Sequence, residues 1–377
     1  MKLLYWKWNS FMGEGLEQAF HRRGITYDVF TYILKDWERD NRFQEQLEEQ
    51  LGSISYDAVF SINYSPLLTE VCEKKKIPYI SWIYDSPIHI RNMDPMKRKI
   101  NRIFLFDRGQ VEHYRTIGIE AFHLPLAASV DVFAPNAKTN TAYSCEISLL
   151  GQLYRTEYLH YTKPLDTYQR GFLEGVVNSQ MHVYGGYFLN EVITDDLISK
   201  LNECYDKTFA GKVRIQRREL EYLLAQEITS RERYMALQLL SRRHKVNLYS
   251  SNRDERLKQV KQMPYVDYYT RMPSVFYNSK VNLNISLKSI RTGIPLRVFD
   301  VLACGGFLIS NFQAELPEIF HIGKELVVYQ DLEELVWLTG YYLEHETERK
   351  QIAENGKKRI QSEYCFENRL DTLFCVI

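Results

Sequence analysis

Over its first 127 residues the chain alternates short β-type runs with helical segments, and this alternation limits the possible folds more than any other feature. The runs are Lys2–Trp8, Thr26–Ile33, Asp57–Asn63, Pro78–Asp85, Arg102–Asp107 and Ala121–Ala127. Helical patterning falls between them, at Gly15–Arg23, Trp37–Leu51, Pro66–Lys76 and Gly109–Ile117. Strands joined through helices run parallel, with right-handed crossovers. The run Tyr79-Ile80-Ser81-Trp82-Ile83-Tyr84 is too apolar for a strand with one wet face and fits a sheet covered on both sides. The expectation is an α/β, doubly wound parallel sheet.

A break follows at Ser129–Ser144, where Pro135 and the polar tract 136–141 read as a linker. The alternation restarts at Cys145–Gly151. Further strands are expected at His182–Tyr184, Val246–Ser250, Val281–Ser286, Phe307–Asn311 and Leu326–Tyr329. Residues 187–243 read as helix, the basic cluster at 214–221 being a solvated face, and helix resumes from Leu332. At roughly 150 residues per domain, 377 residues suggest two units. These are a Rossmann-like unit over 1–135 and a second over 145–355 with a helical insertion at 187–243. A C-terminal helix at 356–377 is placed to pack back on the first unit. Tandem α/β units of this kind are expected to hold their ligand in a central cleft.

Composition removes several classes. Lys+Arg and Asp+Glu both number 48, so the chain lacks the cationic surplus of a nucleic-acid footprint, although a local basic pocket stays open. The six cysteines form no C-x-x-C pair and have no histidines at zinc spacing, which suits reduced thiols in a cytoplasmic protein. No stretch approaches the roughly 18 apolar residues of a membrane span, and Lys7 interrupts the N-terminal apolar run, so neither a transmembrane segment nor a signal peptide is expected. Tyr, Phe and Trp make up 14% of the chain. Such rings line a core or stack on sugars and peptides; Tyr5, Trp6, Trp8, Phe11, Trp82 and Tyr84 cluster at predicted strand ends.

The most informative segment runs from Asn282 to Ser310. A strand ends near Ser286, a loop carries Arg291 and Gly293, Pro295 opens a helix, and Gly305-Gly306 stops it before a buried strand. A helix start at the carboxyl edge of a parallel sheet presents free N–H groups to an anion such as a diphosphate. Arg291 and Arg297 add charge there, and Asp300, one turn beyond Arg297, is placed to accept from ribose hydroxyls. Equally, Arg297 and Asp300 read as an i,i+3 surface pair.

These residues carry a family resemblance. The run Gly293–Asn311, with Glu315-Leu316, Gly323-Lys324-Glu325 and Tyr341-Tyr342-Leu343, resembles the donor-binding end of group-1 glycosyltransferases, and within them the CgeB-like, spore-maturation branch. The resemblance implies the GT-B fold, with a nucleotide-sugar on the second unit and the acceptor on the first. In the broader group, two acids with seven residues between them mark the sugar and ribose contacts. Asp300 stands at the second position and Thr292 at the first, so the ribose contact has its acid and the sugar contact does not. In similar transferases the loop after the second unit's opening strand faces the diphosphate, which brings in Gly151 and Arg155; Gly151 also reads as a plain turn glycine.

In the first unit, Gly13-Glu14-Gly15 lacks the third glycine of a dinucleotide fingerprint, so no NAD is expected. It reads as an acceptor-side loop, with Glu14 either a base or a helix N-terminal acid. Asp85 closes a buried strand ahead of Ser86-Pro87 and, with His89, is the candidate base for an acceptor hydroxyl. Asp85 also reads as a turn cap, and Asp107-Arg108 is a weaker candidate of the same kind. No Asp-x-Asp occurs, so neither metal nor other cofactor is expected, and cationic side chains and a helix terminus would carry the diphosphate. The expected activity is transfer of a hexosyl or N-acetylhexosaminyl group from a UDP-sugar to a glycan, protein or small molecule. The alternatives are a nucleotide-sugar epimerase of the same architecture and a non-catalytic sugar-binding or coat-assembly protein.

Overall fold

Strands β1 (Lys2–Lys7), β2 (Thr26–Thr31), β3 (Ala58–Ile62), β4 (Tyr79–Ile83), β5 (Asn101–Leu105) and β6 (Ala121–His123) form an all-parallel sheet in the order β2-β1-β3-β4-β5-β6. The structure is a computed structural model describing residues 1–138 and 140–375; Thr139 of the expected linker and Val376 and Ile377 of the expected C-terminal helix lie outside the described residues. Every residue of β3 and β4 is buried, as a sheet covered on both faces requires. Sequence-local signals place the helices. Asp40 accepts from Phe43 N–H at 3.1 Å and starts the helix Asn41–Ser53 four residues later than the apolar pattern suggests. Pro66 opens the helix Pro66–Lys75, and Lys76 ends it in the left-handed region at φ +58°. Asp107 caps the helix Arg108–Thr116.

This first unit comprises Met1–Pro135, Gly293–Ala303 and Lys357–Ile377. The helix Phe366–Phe374 returns to lie on the helix Gly13–Arg22. Arg22 pairs with Glu367 at 2.8 Å and Arg23 with Asp371 at 2.7 Å, but such exposed pairs contribute about 0–1 kcal/mol each. Burial of Phe366 and Leu370, about 1.5–3 kcal/mol per side chain, holds the helix more firmly. Phe366 packs edge-on to Trp82, with ring centroids 6.0 Å apart.

The second unit comprises Asn136–Thr292 and Cys304–Gly356. Its strands are β7 (Cys145–Leu150), β8 (Val246–Tyr249), β9 (Lys261–Met263), β10 (Ser279–Asn284), β11 (Leu308–Asn311) and β12 (Val327–Tyr329), all parallel, in the order β12-β11-β10-β7-β8-β9. Between β7 and β8 stand the helices Tyr158–Thr162, Thr167–Met181, Leu189–Val192, Asp195–Phe209 and Arg217–Ser241, with their own core of Leu173, Val177, Leu201, Tyr205, Leu224 and Ile228.

Three local expectations are corrected. His182–Tyr184 is not a strand: His182 caps the helix Thr167–Met181, its N–H bonded to Ser179 O at 3.2 Å. The strand β9, by contrast, was not expected; it is three residues long, lies at the sheet edge and begins on exposed Lys261, so it carries no apolar alternation. Much of the expected linker is the helix Val130–Ala137, because Val130, Phe133 and Ala137 recur at helical spacing and are buried. No helix among the described residues is long and apolar enough to cross a membrane.

Candidate functional site

In each sheet the strand order reverses direction at one place, which is where open α/β sheets place their ligands. In the second unit the flanking strands are β7 and β10. Arg233, on the helix Arg217–Ser241, ties their two loops together. Its Nε and Nη2 donate to Ile285 O at 3.2 and 2.6 Å, and its Nη1 donates to Gln152 O at 2.6 Å. The guanidinium lies over the Tyr154 ring, 5.3 Å from its centre. Gly151 makes room for it, since a Cβ at this position would stand 3.2 Å from Arg233 Nη1. Beside it, buried Glu232 pairs with Lys288 Nζ at 3.4 Å and accepts from Tyr329 Oη at 3.2 Å. Lys288 also lies over the Tyr184 ring at 4.4 Å. Sequence reasoning missed Arg233 and Glu232, because the charged run 231–233 reads as a wet helix face, and Lys288, because the loop after β10 carries no local pattern that marks it.

The predicted donor-side residues are distributed as follows. Arg155 is exposed and donates to Arg253 O at 3.0 Å. Arg291 lies over the Tyr187 ring at 4.9 Å, near Glu221, whose carboxyl burial pushes above the usual range despite that guanidinium. Thr292 Oγ1 donates to Glu315 Oε1 at 2.7 Å, and Glu315 N–H returns a bond to Thr292 O at 3.1 Å.

Gly293 and the helix Leu296–Ala303 belong to the first unit's contacts. Gly293 sits so close to the loop after β5 that a Cβ would stand 2.7 Å from Asp107 Cα and 2.9 Å from Phe106 O. Arg297 and Asp300 do face each other, at 3.9 Å, but the Asp300 side chain is only 2% exposed, so this is not a solvated surface pair.

At the carboxyl edge of the first sheet, Asp85 is half-buried and accepts from Asn63 Nδ2 at 2.7 Å. Burial pushes its carboxyl above the usual range, while the charge of His89 and the Asn63 bond pull the other way. His89 itself is exposed. The aromatic cluster divides. Tyr5, Trp6 and Trp82 are fully buried core, whereas Trp8 stacks on Tyr84 at 6.4 Å with exposed Phe11 alongside at 6.1 Å. Gly13-Glu14-Gly15 is not a loop but the first turn of the helix Gly13–Arg22. Gly15 faces Phe366, whose Cε2 would lie 2.4 Å from a Cβ, and Glu14 is exposed in the helix's first turn.

A cleft of about 760 Å³ opens where the loops after β7 and β8 meet the helix Arg217–Ser241. Its charges are largely paired: Arg256 with Asp254 at 2.6 Å, and Arg231 with both Glu227 at 2.8 Å and Glu174. The pairing leaves less net charge there than the number of arginines suggests.

Residues 231–374 match the family described as glycosyl transferase-like. No curated protein matches the chain by sequence. Sucrose-phosphate synthase from Thermosynechococcus elongatus is similar in structure, with TM-score 0.56 at 12% identity, over 100% of this chain and 98% of that one. Anabaena Alr3699/HepE in complex with UDP-glucose gives 0.55 at 8%, over 100% and 99%. A UDP-forming α,α-trehalose-phosphate synthase from Burkholderia xenovorans gives 0.55 at 11%, over 99% and 98%. At these identities the likeness is one of fold: the chain has the GT-B fold, built on two Rossmann-like, six-stranded parallel sheets.

Proposed function

We propose that this protein transfers a hexosyl or N-acetylhexosaminyl group from a UDP-sugar to a hydroxyl of a glycan, protein or small molecule, without a metal, and that it belongs to the CgeB-like branch. The observation that carries the reading is that the matched segment contains Gly293–Asp300, in which a half-buried Arg297 faces a buried Asp300. In the proposed roles, Asp300 accepts from the ribose hydroxyls. Arg297 and the backbone of Gly293–Leu296, through the N–H groups of Gly293, Ile294 and Leu296, meet the diphosphate, with Gly151, Arg155 and Arg291 also on the donor side. Asp85, or His89 beside it, takes the proton of the acceptor hydroxyl as the new glycosidic bond forms and UDP leaves with the electrons of the old one. Of the similar structures, one is bound to UDP-glucose and one is a UDP-forming synthase, which supports UDP as the donor nucleotide.

A thermal-shift panel of UDP, GDP, dTDP and their sugars tests the donor, because a bound ligand raises apparent stability by mass action. UDP compounds should give the largest shifts, and UDP-sugar alone should be slowly hydrolysed to UDP and free sugar. Epimerised sugar would point to an epimerase instead. Thr292, at the position where the broader group carries an acid, favours a second reading, a sugar-binding protein without turnover; binding of UDP-sugar with no released UDP is its signature.

A further inference from the structure

We propose that Arg233 is the cation that receives the donor's diphosphate at the β7/β10 crevice of the second unit. The proposal rests on the UDP-sugar reading and adds to it a contact supplied by a long helix rather than by a loop. Glu232, Arg233 and Lys288 are all buried, and Glu232 pairs with Lys288, so the surplus charge among the three is that of Arg233. Glu232 is committed to Lys288 and to the Tyr329 hydroxyl. Arg233, 9% exposed, has no carboxylate within 4.0 Å among the described residues; its hydrogen-bond partners are the carbonyls of Ile285 and Gln152. Glu315, another buried acid on this sheet's loops, is bonded to Thr292 and makes no ion pair with Arg233.

A buried guanidinium is costly without a counter-charge, and carbonyl dipoles supply hydrogen bonds but no net charge. The surplus stands where α/β sheets bind ligands, between the loops after β7 and β10. Of the five guanidinium N–H groups, three are committed to carbonyls, which leaves two for the oxygens of a phosphate. Gly151 places no side chain against Nη1, since a Cβ there would stand 3.2 Å from that atom. The opposite stretch of the same helix buries Leu220, Leu224 and Ile228 in the inserted bundle, which anchors the helix that carries the guanidinium.

The test is titration calorimetry of full-length wild type, Arg233→Lys and Arg233→Met with UDP, uridine and pyrophosphate, each variant first checked by circular dichroism. Arg233→Met should weaken UDP and pyrophosphate by roughly ten- to a hundredfold, the worth of a charged hydrogen bond, and leave uridine unchanged. Arg233→Lys, which keeps the charge and loses the planar fork, should fall between. A parallel loss of UDP and uridine would show that Arg233 only holds the loops, and an unchanged UDP affinity would overturn the proposal outright. If the wild type binds pyrophosphate through Arg233 but shows no preference for UDP, the UDP-sugar reading fails while the anion site stands.

Discussion

Asn63 holds Asp85 in place: its Nδ2 donates to Asp85 Oδ2 at 2.7 Å, while its Oδ1 accepts the N–H groups of Tyr84 at 3.0 Å and Asp85 at 3.4 Å. Asn63 does this from the left-handed region at φ +61°, which asparagine tolerates better than most residues. The ends of β3 and β4 are thereby locked together, with one carboxylate fixed at the sheet edge. That carboxylate is half-buried, and burial is the largest influence on its proton affinity.

Asp85→Asn should lower turnover by about 10²–10⁴-fold, the usual contribution of a positioned acid or base, and full turnover would remove Asp85 from the reaction. In the wild type, the acid limb of the pH–rate profile should lie above the usual carboxylate range. The stability prediction follows from the same shift. A carboxyl whose folded pKa is raised favours the fold when protonated, and that contribution is lost as pH rises through the folded pKa. At pH 7 the variant should therefore melt at or above the wild-type temperature, and the advantage should vanish below about pH 3.9.

Arg297→Ala should weaken UDP binding by roughly ten- to a hundredfold. Calorimetry with UDP checks it, and wild-type affinity in the variant would exclude Arg297 from the diphosphate contact.

Gly15→Ala should destabilise the first unit by about 1–3 kcal/mol, because the new methyl group would overlap Phe366, at 2.4 Å from Cε2 and 2.8 Å from Cδ2. The obstruction is a side chain, so combining it with Phe366→Leu should return part of the loss. Urea melts of the two single variants and the double variant measure that coupling.

Gly293→Ala meets backbone instead, at Asp107 Cα and Phe106 O, and no change of side-chain rotamer relieves it. The segment leading into the helix Leu296–Ala303 must shift. The variant should lose both thermal stability and UDP affinity, and a loss of stability alone would detach this segment from the donor.

Much of the architecture was legible from local pattern. The strand β4 announced itself as a continuous apolar run, and the helical pattern beginning at Pro66 matched the helix Pro66–Lys75. The site was less legible, and Arg231 and Arg233 show why. They lie two positions apart on one helix, roughly 200° around its axis at 3.6 residues per turn. Nothing in the sequence says which of the two faces inward, yet Arg231 is paired with Glu174 and Glu227 while Arg233 is buried against carbonyls. The aromatic cluster posed the same difficulty: Trp6 and Trp8 look alike in the sequence, but Trp6 lies within β1 and is core, whereas Trp8 lies just past its end.

Local pattern is enough to specify two parallel α/β sheets, because the period of apolar residues acts over a few neighbouring positions. Long-range packing sets which charges meet an opposite charge and what a glycine faces. Those properties depend on residues brought together from far along the chain: Arg233 with Ile285, Gly15 with Phe366, Gly293 with Asp107. No local pattern encodes such distances.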